Sequence, residues 1–201
     1  SSRLSYNKAS YLLHMLRWKL GDDVFFQSVR NYLADSSLAF GYAHTEDLKR
    51  HFELESGENL DGFFNDWFYG EGYPSYQLEW TNQGSSVHIK LNQTTSHPSV
   101  DFFEMPVPVQ VSGSNADSLL SLRPSFQGQE FDISLPFEVE EVEIDPDLWI
   151  ISADHTVEEV MISQSDLPQL SDGIQISPNP TSNEVTIQSR AHLGIITEIR
   201  V

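Results

Sequence analysis

Cysteine is absent from this chain of 201 residues, and long apolar runs are absent as well. Without cysteine there is no disulfide framework, no thiolate metal site and no catalytic thiol. No apolar run approaches the roughly 18 residues of a membrane-spanning helix, so no span is predicted. The motifs His-Glu-x-x-His and Gly-x-Ser-x-Gly and a phosphate-binding glycine loop are also missing. The sequence therefore holds no complete zinc, serine-hydrolase or nucleotide site.

Basic residues are scarce, and the formal net charge is −19. Residues 1–50 carry seven Lys and Arg against five Asp and Glu, whereas residues 51–201 carry four against 25. A surface that negative repels phosphate backbones and anionic lipid headgroups. We therefore expect neither nucleic acid nor a membrane surface among the partners.

The first 74 residues have the apolar spacing of helices. Gly21 and Gly57 stand where two of these helices would end, and Thr45, followed by two acidic residues, resembles a capped helix start. A fourth helix is predicted from bulky residues at positions i, i+3, i+4, i+7 and i+8. These are Leu60, Phe63, Phe64, Trp67 and Phe68.

From Ser75 onwards, apolar and polar residues alternate, which predicts strands. Seven or so short strands over 75–162 indicate a β-sandwich. The alternation slips by one residue at Glu140-Glu141, which suggests a β-bulge or a strand that changes faces. Asp145-Pro146-Asp147 is interpreted as a turn rather than a calcium site, because one short acidic turn lacks enough oxygen ligands. Residues 149–151 are predicted to form a last short strand.

Residues 163–173 have the composition of a linker, and alternation resumes over 174–201. This final stretch is interrupted by Pro178-Asn179-Pro180, and it is too short for a stable β domain by itself.

The seven histidines do not form a metal site by spacing. His44 and His51 are seven positions apart, with no acidic residue placed to complete a ligand set. His14 falls on the first predicted helix, where a packing or surface role is expected. No metal ligand is therefore predicted in this chain.

Tyr6 and Lys8 stand at the head of the first predicted helix, two positions apart. They resemble the Tyr-x-Lys-Gly element of the aminopeptidase N and leukotriene hydrolase family of zinc peptidases (the M1 gluzincins), although Ala9 replaces the glycine. Further segments up to Pro74 resemble the helical subdomain of that family in order and spacing. These are Leu12–Arg17, Leu20–Asp22, Phe25-Phe26, Tyr32-Leu33, Thr45–Leu48, Ser56-Gly57, Leu60, Phe63-Phe64, Trp67 and Gly72–Pro74.

The resemblance implies an α+β multidomain protein. Residues 1–74 would be the helical end of a thermolysin-like catalytic domain, and residues 75–162 the accessory β-sandwich that follows it. The whole enzyme would use zinc-activated water to remove N-terminal residues from peptides. Tyr6 would stabilise the oxyanion that develops on the scissile carbonyl, with Lys8 as a supporting neighbour. The zinc ligands would lie in an upstream catalytic domain, before Ser1, so the 201 residues alone are expected to bind no zinc and to be inactive.

The segment from Asp172 to Val185 resembles the opening of the C-terminal sorting domain of proteins exported by the Bacteroidetes type IX system. This implies a truncated sorting tail at 174–201, the type IX machinery as a partner, and a secreted or cell-surface location. An ordinary turn between two strands is the other interpretation of the Pro-Asn-Pro sequence.

A second hypothesis fits the same features. The chain would belong to a non-catalytic, secreted module that binds peptide or carbohydrate. A reading frame that encodes His-Glu-x-x-His upstream of Tyr6 would favour the enzyme, and one without it the binding module.

Overall fold

The computed structural model describes residues 6–84 and 86–161, together with the backbones of two short strands at 175–178 and 185–188. The chain divides into two compact units, Ser1–Val160 and Met161–Val201. In the described residues, no helix combines the length and apolar character needed to cross a membrane.

The first unit begins with helices α1 (Lys8–Leu20), α2 (Asp22–Ala34) and α3 (Thr45–Ser56). Gly21 separates α1 from α2 with φ +81°, a left-handed value at which glycine has no steric cost, and its N–H donates to the Arg17 carbonyl. The third helix starts one residue earlier than a Thr45 cap would give. His44 is the flanking residue, and its backbone N–H donates to the Asp47 carboxylate at 2.9 Å.

The fourth predicted helix is only partly α-helical. A short α4 (Asp61–Phe63) passes directly into a π-helix (Phe64–Tyr69). In the π-helix the N–H of Gly70 donates to the Asn65 carbonyl, five residues back, at 2.8 Å. This wider turn ends the i, i+3, i+4 stripe, so Phe68 is 37% exposed while the other four stripe residues are buried.

Seven strands follow in the described part of this unit. They are β1 (Pro74–Asn82), β2 (Ser86–Thr95), β3 (Val107–Ser112), β4 (Asp117–Leu122), β5 (Gln129–Ser134), β6 (Glu141–Ile144) and β7 (Thr156–Glu159). They form a four-stranded sheet in the order β5-β2-β1-β7 and a three-stranded sheet in the order β4-β3-β6. Buried side chains of both sheets and of the helices belong to one apolar core. The predicted mixture of helix and sheet is confirmed, while the subdomain arrangement implied by the resemblance stays a prediction.

The predicted strand at 149–151 is wrong. These residues follow a turn organised by Asp145, which is only 3% exposed. Its carboxylate accepts hydrogen bonds from the backbone N–H groups of Trp149 (2.7 Å) and Ile150 (2.8 Å). Backbone donors that are turned towards this carboxylate are withdrawn from strand pairing. The last strand of the unit is instead β7, which pairs in parallel with β1.

The predicted slip at Glu140-Glu141 lies at the start of β6. The structure has no strand from Phe137 to Glu140, and regular pairing begins at Glu141. The N–H of Glu140 donates to the Ser112 carbonyl at 2.7 Å. The change of phase is thus a strand boundary rather than a bulge inside one strand.

The second unit contributes strands β8 (Gln175–Pro178) and β9 (Val185–Gln188), which pair antiparallel with Ile176 opposite Ile187. The predicted linker at 163–173 lies outside the described residues. The domain boundaries predicted at 74, 162 and 173 stay predictions.

Candidate functional site

Tyr6 lies at the start of the helical region, in a π-type turn that leads into α1. Its side chain is 77% exposed, and its hydroxyl has no hydrogen-bond partner among residues 6–84 and 86–161. The described residues therefore leave the hydroxyl available as a donor. The backbone of the turn sets the point from which this exposed side chain projects.

Lys8 is anchored to a distant part of the chain. Its Nζ donates to the carbonyl oxygen of Gly70 at 3.1 Å and to that of Phe68 at 3.4 Å. These carbonyls lie at the C-terminal end of the π-helix, where the helix dipole and the unpaired acceptors favour a cation. Lys8 thus ties the turn that carries Tyr6 to the end of the helical region.

Gly70 has no room for a side chain. A Cβ atom there would lie 2.2 Å from the Asp66 carbonyl oxygen and 2.6 Å from a methyl group of Val100. This close approach of the backbone allows the Gly70 carbonyl to meet Lys8 while the residue stays packed against Val100.

Other residues of α1 contact the turn that follows Asp145 and the segment before β3. The imidazole of His14 stacks on Trp149 with ring centroids 4.3 Å apart, and Trp18 Nε1 donates to the Pro106 carbonyl at 2.7 Å. The hydroxyl of Tyr11 donates to the Leu148 carbonyl. His14 is therefore a packing residue, as predicted. These contacts hold α1, and with it the Tyr6 turn, on the sheet region.

The described residues do not fit a metal centre. Across 6–84 and 86–161, no three His, Cys, Asp or Glu side chains come together in a metal-binding arrangement. His51, which was not predicted to be a metal ligand, has its Nε2 3.0 Å from an Asp35 carboxylate oxygen. Both oxygens of Asp145 bond to backbone N–H groups, which supports the turn interpretation over calcium.

Among the carboxylates with a shifted pKa, Asp35 and Asp145 owe the shift to the loops that they organise. The Ser37 hydroxyl and backbone N–H lower the pKa of Asp35, with smaller contributions from Arg50 and His51. Burial raises the pKa of Asp145, and the backbone N–H groups of the following turn oppose this shift. Neither group lies in the Tyr6 turn, and both act as anchors of loops.

His155 is a partly buried residue that joins two distant segments of the chain. Its Nδ1 accepts the backbone N–H of Tyr76 at 3.1 Å, and its Nε2 lies 3.0 Å from the Ser152 hydroxyl. Burial lowers the pKa of His155, because a charged imidazole would lose its hydration. The signal was absent from the sequence, since Tyr76 lies 79 positions away.

Comparison with known proteins places these residues in a family context. Residues 2–67 match the Peptidase family M1 domain. Aminopeptidase 2 of Candida albicans is 34% identical over 90 residues, which are 45% of this chain and 9% of that protein. Aminopeptidase M1-A of Oryza sativa subsp. japonica is 27% identical over 150 residues, which are 73% of this chain and 16% of that protein. The chain thus spans between 9% and 16% of the length of these two relatives.

A solved structure shares the fold. The crystal structure of Legionella pneumophila aminopeptidase A in complex with aspartic acid matches with a TM-score of 0.55 and 18% identity. The match covers 80% of this chain and 18% of that chain. Together, the domain match and the aminopeptidase relatives support a relationship of the region that carries Tyr6 and Lys8 to the M1 aminopeptidase family.

Proposed function

We propose that this chain is the C-terminal part of a secreted zinc metallo-aminopeptidase that hydrolyses N-terminal residues from peptides. The match of residues 2–67 to the M1 peptidase domain supports the peptidase class. The small share of each relative that the chain covers supports a longer parent protein. One observation carries the proposal: within the matched region, Tyr6 presents an exposed hydroxyl that has no hydrogen-bond partner in the part of the chain that the structure describes, on a turn anchored by Lys8.

The chemical role proposed for Tyr6 is hydrogen-bond donation. Attack on a peptide carbonyl places negative charge on the carbonyl oxygen, and a preorganised donor stabilises that charge in the transition state. One such donor contributes about 3 kcal/mol of barrier lowering, or roughly 10²- to 10³-fold in rate. A phenol on a helix start reaches outward from a rigid element, which suits this task.

The zinc ligands are proposed to lie in polypeptide outside the described residues, because these residues offer no suitable ligand set. The role of residues 6–161 is then to supply the Tyr6 donor and to hold it in place. The isolated chain of 201 residues is expected to have no peptidase activity. Export through the type IX machinery, with a secreted or cell-surface location, is proposed from the sequence of the tail alone.

The test is Tyr6→Phe in the full-length protein that contains this chain. We expect kcat for an aminoacyl-arylamide substrate to fall roughly 10²- to 10³-fold, with KM and zinc content nearly unchanged, because only a transition-state contact is lost. Tyr42→Phe is the matched control, since it removes the hydroxyl of another exposed tyrosine. Full turnover by Tyr6→Phe would refute the catalytic role. A full-length protein that binds peptide or carbohydrate without hydrolysing any peptide would instead support the binding-module hypothesis.

A further inference from the structure

The turn at residues 96–100 forms hydrogen bonds to residues 71–73, which follow the π-helix. Ser99 Oγ accepts the backbone N–H of Glu71 at 2.9 Å and donates to the Glu71 carbonyl at 3.0 Å. Tyr73 and Ser96 form a second pair. The Tyr73 N–H donates to Ser96 Oγ at 2.9 Å, and the Ser96 N–H donates to the Tyr73 carbonyl at 3.0 Å. Four hydrogen bonds therefore join two short segments that are more than 20 positions apart in sequence.

Close packing also holds the backbone of residues 70–73 against the 96–100 turn. Val100 fills the space beside Gly70, at 2.6 Å from where a Cβ atom would stand. Gly72 has φ +95°, and a Cβ atom there would lie 2.8 Å from the Cβ of His97. A side chain at either glycine would push the two segments apart, so the backbone of 70–73 is held against the 96–100 turn at a fixed distance.

The segment of residues 70–73 also supplies a hydrogen-bond acceptor for Lys8. The Gly70 carbonyl that receives Lys8 Nζ at 3.1 Å belongs to the residue that Val100 confines. Lys8 lies in the first turn of α1, two residues after Tyr6. A continuous series of contacts thus runs from the 96–100 turn through Gly70 and Lys8 to the backbone that carries Tyr6.

We propose that the 96–100 turn of the sheet region, Gly70 and Lys8 form a positioning device for the Tyr6 hydroxyl. Lys8 and Ser99 are the positioning residues of this device, and neither contacts substrate. The inference rests on the proposed function for its effect on catalysis. It also assigns a role to the sheet region, which holds a residue of the helical region in place.

The effect on rate follows from the sensitivity of catalysis to geometry. A group that acts in a transition state must be held within about 0.5 Å of its productive position. A misplacement of about 1 Å by a change remote from the chemistry can cost roughly 10²-fold in rate. Because the Tyr6 side chain has no anchor of its own among the described residues, a loosened turn would displace its hydroxyl directly.

The first arm of the test is a double-mutant cycle in the full-length protein. Lys8→Met is expected to lower kcat about tenfold, which is about 1.4 kcal/mol of barrier, with KM within about twofold. Ser99→Ala is expected to lower kcat about threefold. Since both act on the segment of residues 70–73, the double variant should be little slower than Lys8→Met alone. Lys8→Arg, which keeps a charged donor, should recover most of the rate.

Matched controls separate this device from a general loss of stability. Lys90→Met removes a lysine that pairs with Glu79 on the sheet, and Ser125→Ala removes a hydroxyl that bonds to Gln129. Both controls should retain kcat. An unchanged kcat in Lys8→Met, or effects of Lys8→Met and Ser99→Ala that multiply in the double variant, would overturn the inference.

The second arm does not depend on activity. With 3-fluorotyrosine at position 6 of the 201-residue chain, the fluorine resonance reports the environment and motion of the ring. Lys8→Met and Ser99→Ala should each shift or narrow that resonance, whereas Lys90→Met should not. A fluorine resonance that is unchanged by both substitutions would refute the proposal that these residues position Tyr6. A resonance that responds, in a protein whose full-length form hydrolyses no peptide, would refute the proposed function and leave the device standing.

Discussion

Replacing Asp145 by alanine is expected to destabilise the unit of residues 1–160 by about 3 to 4 kcal/mol. The carboxylate is almost fully buried and accepts the backbone N–H groups of Trp149 and Ile150. Its backbone has φ +48°, in the left-handed region that asparagine and aspartate tolerate better than alanine. The turn that it organises is the surface on which α1 packs through the His14–Trp149 stack.

The magnitude comes from three contributions. Each buried N–H that loses its acceptor costs about 1 to 3 kcal/mol, so the two together cost about 4. The left-handed backbone adds about 1 kcal/mol for alanine. Burial raises the pKa of this carboxylate because the charged group loses hydration. Removing the group eliminates that unfavourable desolvation, which offsets the loss of stability by about 1 to 2 kcal/mol. Asp145→Asn keeps one oxygen acceptor and tolerates the backbone, so we expect a loss of only about 1 to 2 kcal/mol.

The assay is urea unfolding of the 201-residue chain, followed by tryptophan fluorescence. Asp147→Ala is the control, because it removes an exposed carboxylate from the same turn and should change stability by less than about 0.5 kcal/mol. The expected order of stability is wild type, Asp145→Asn, Asp145→Ala. The reasoning would be refuted if Asp145→Ala unfolded within about 0.5 kcal/mol of the wild type.

For two further perturbations, the structure predicts the direction of the change in unfolding free energy. Gly70→Ala should destabilise the chain by about 2 kcal/mol or more, because its Cβ would collide with the Asp66 carbonyl, whereas Gly62→Ala has open space and should be neutral or slightly stabilising in urea unfolding. Equal midpoints for the two variants would contradict this. Burial lowers the pKa of folded His155 below its unfolded value of 6.5, so the folded state binds fewer protons and loses stability as the pH falls through 6.5 towards the folded pKa. His155→Asn should flatten the unfolding free energy between about pH 5 and 7, and an unchanged pH profile would show that the Tyr76 contact does not govern it.

The helices and most strands could be predicted because their signals are local. Gly21 and Gly57 end helices at left-handed backbone angles, and the apolar residues of α1 recur on one face. Alternation in β1 and β2 matches their burial residue by residue, with Leu78 opposite Leu91. By contrast, all four residues of β7 are exposed, and their burial shows no alternation. It exists as a strand because it pairs with β1, a partner far away in sequence.

The π-helix is a second case in which local pattern was insufficient. The apolar stripe from Leu60 to Phe68 fits an α-helix, and sequence spacing cannot tell an i+4 from an i+5 hydrogen bond. The wider turn forms where the chain must bring Gly70 against Val100. The candidate site also combines residues that the sequence indicates with contacts that it does not. Tyr6 and Lys8 were recognisable in the sequence, but the acceptors of Lys8 lie 60 and 62 positions away.

By itself, the sequence determined where α1 and α3 end, which residues face a core, and which tyrosine and lysine stand at the head of α1. These properties follow from backbone preferences and from side-chain periodicity within a few residues. Only the tertiary structure decided that Lys8 meets Gly70, that Asp145 is buried under a turn, and that the 96–100 turn closes on the segment after the π-helix. Each of these contacts joins segments that are distant in the sequence. Such partners depend on which segments the packing of the core brings together, and neighbouring residues in the chain do not determine them.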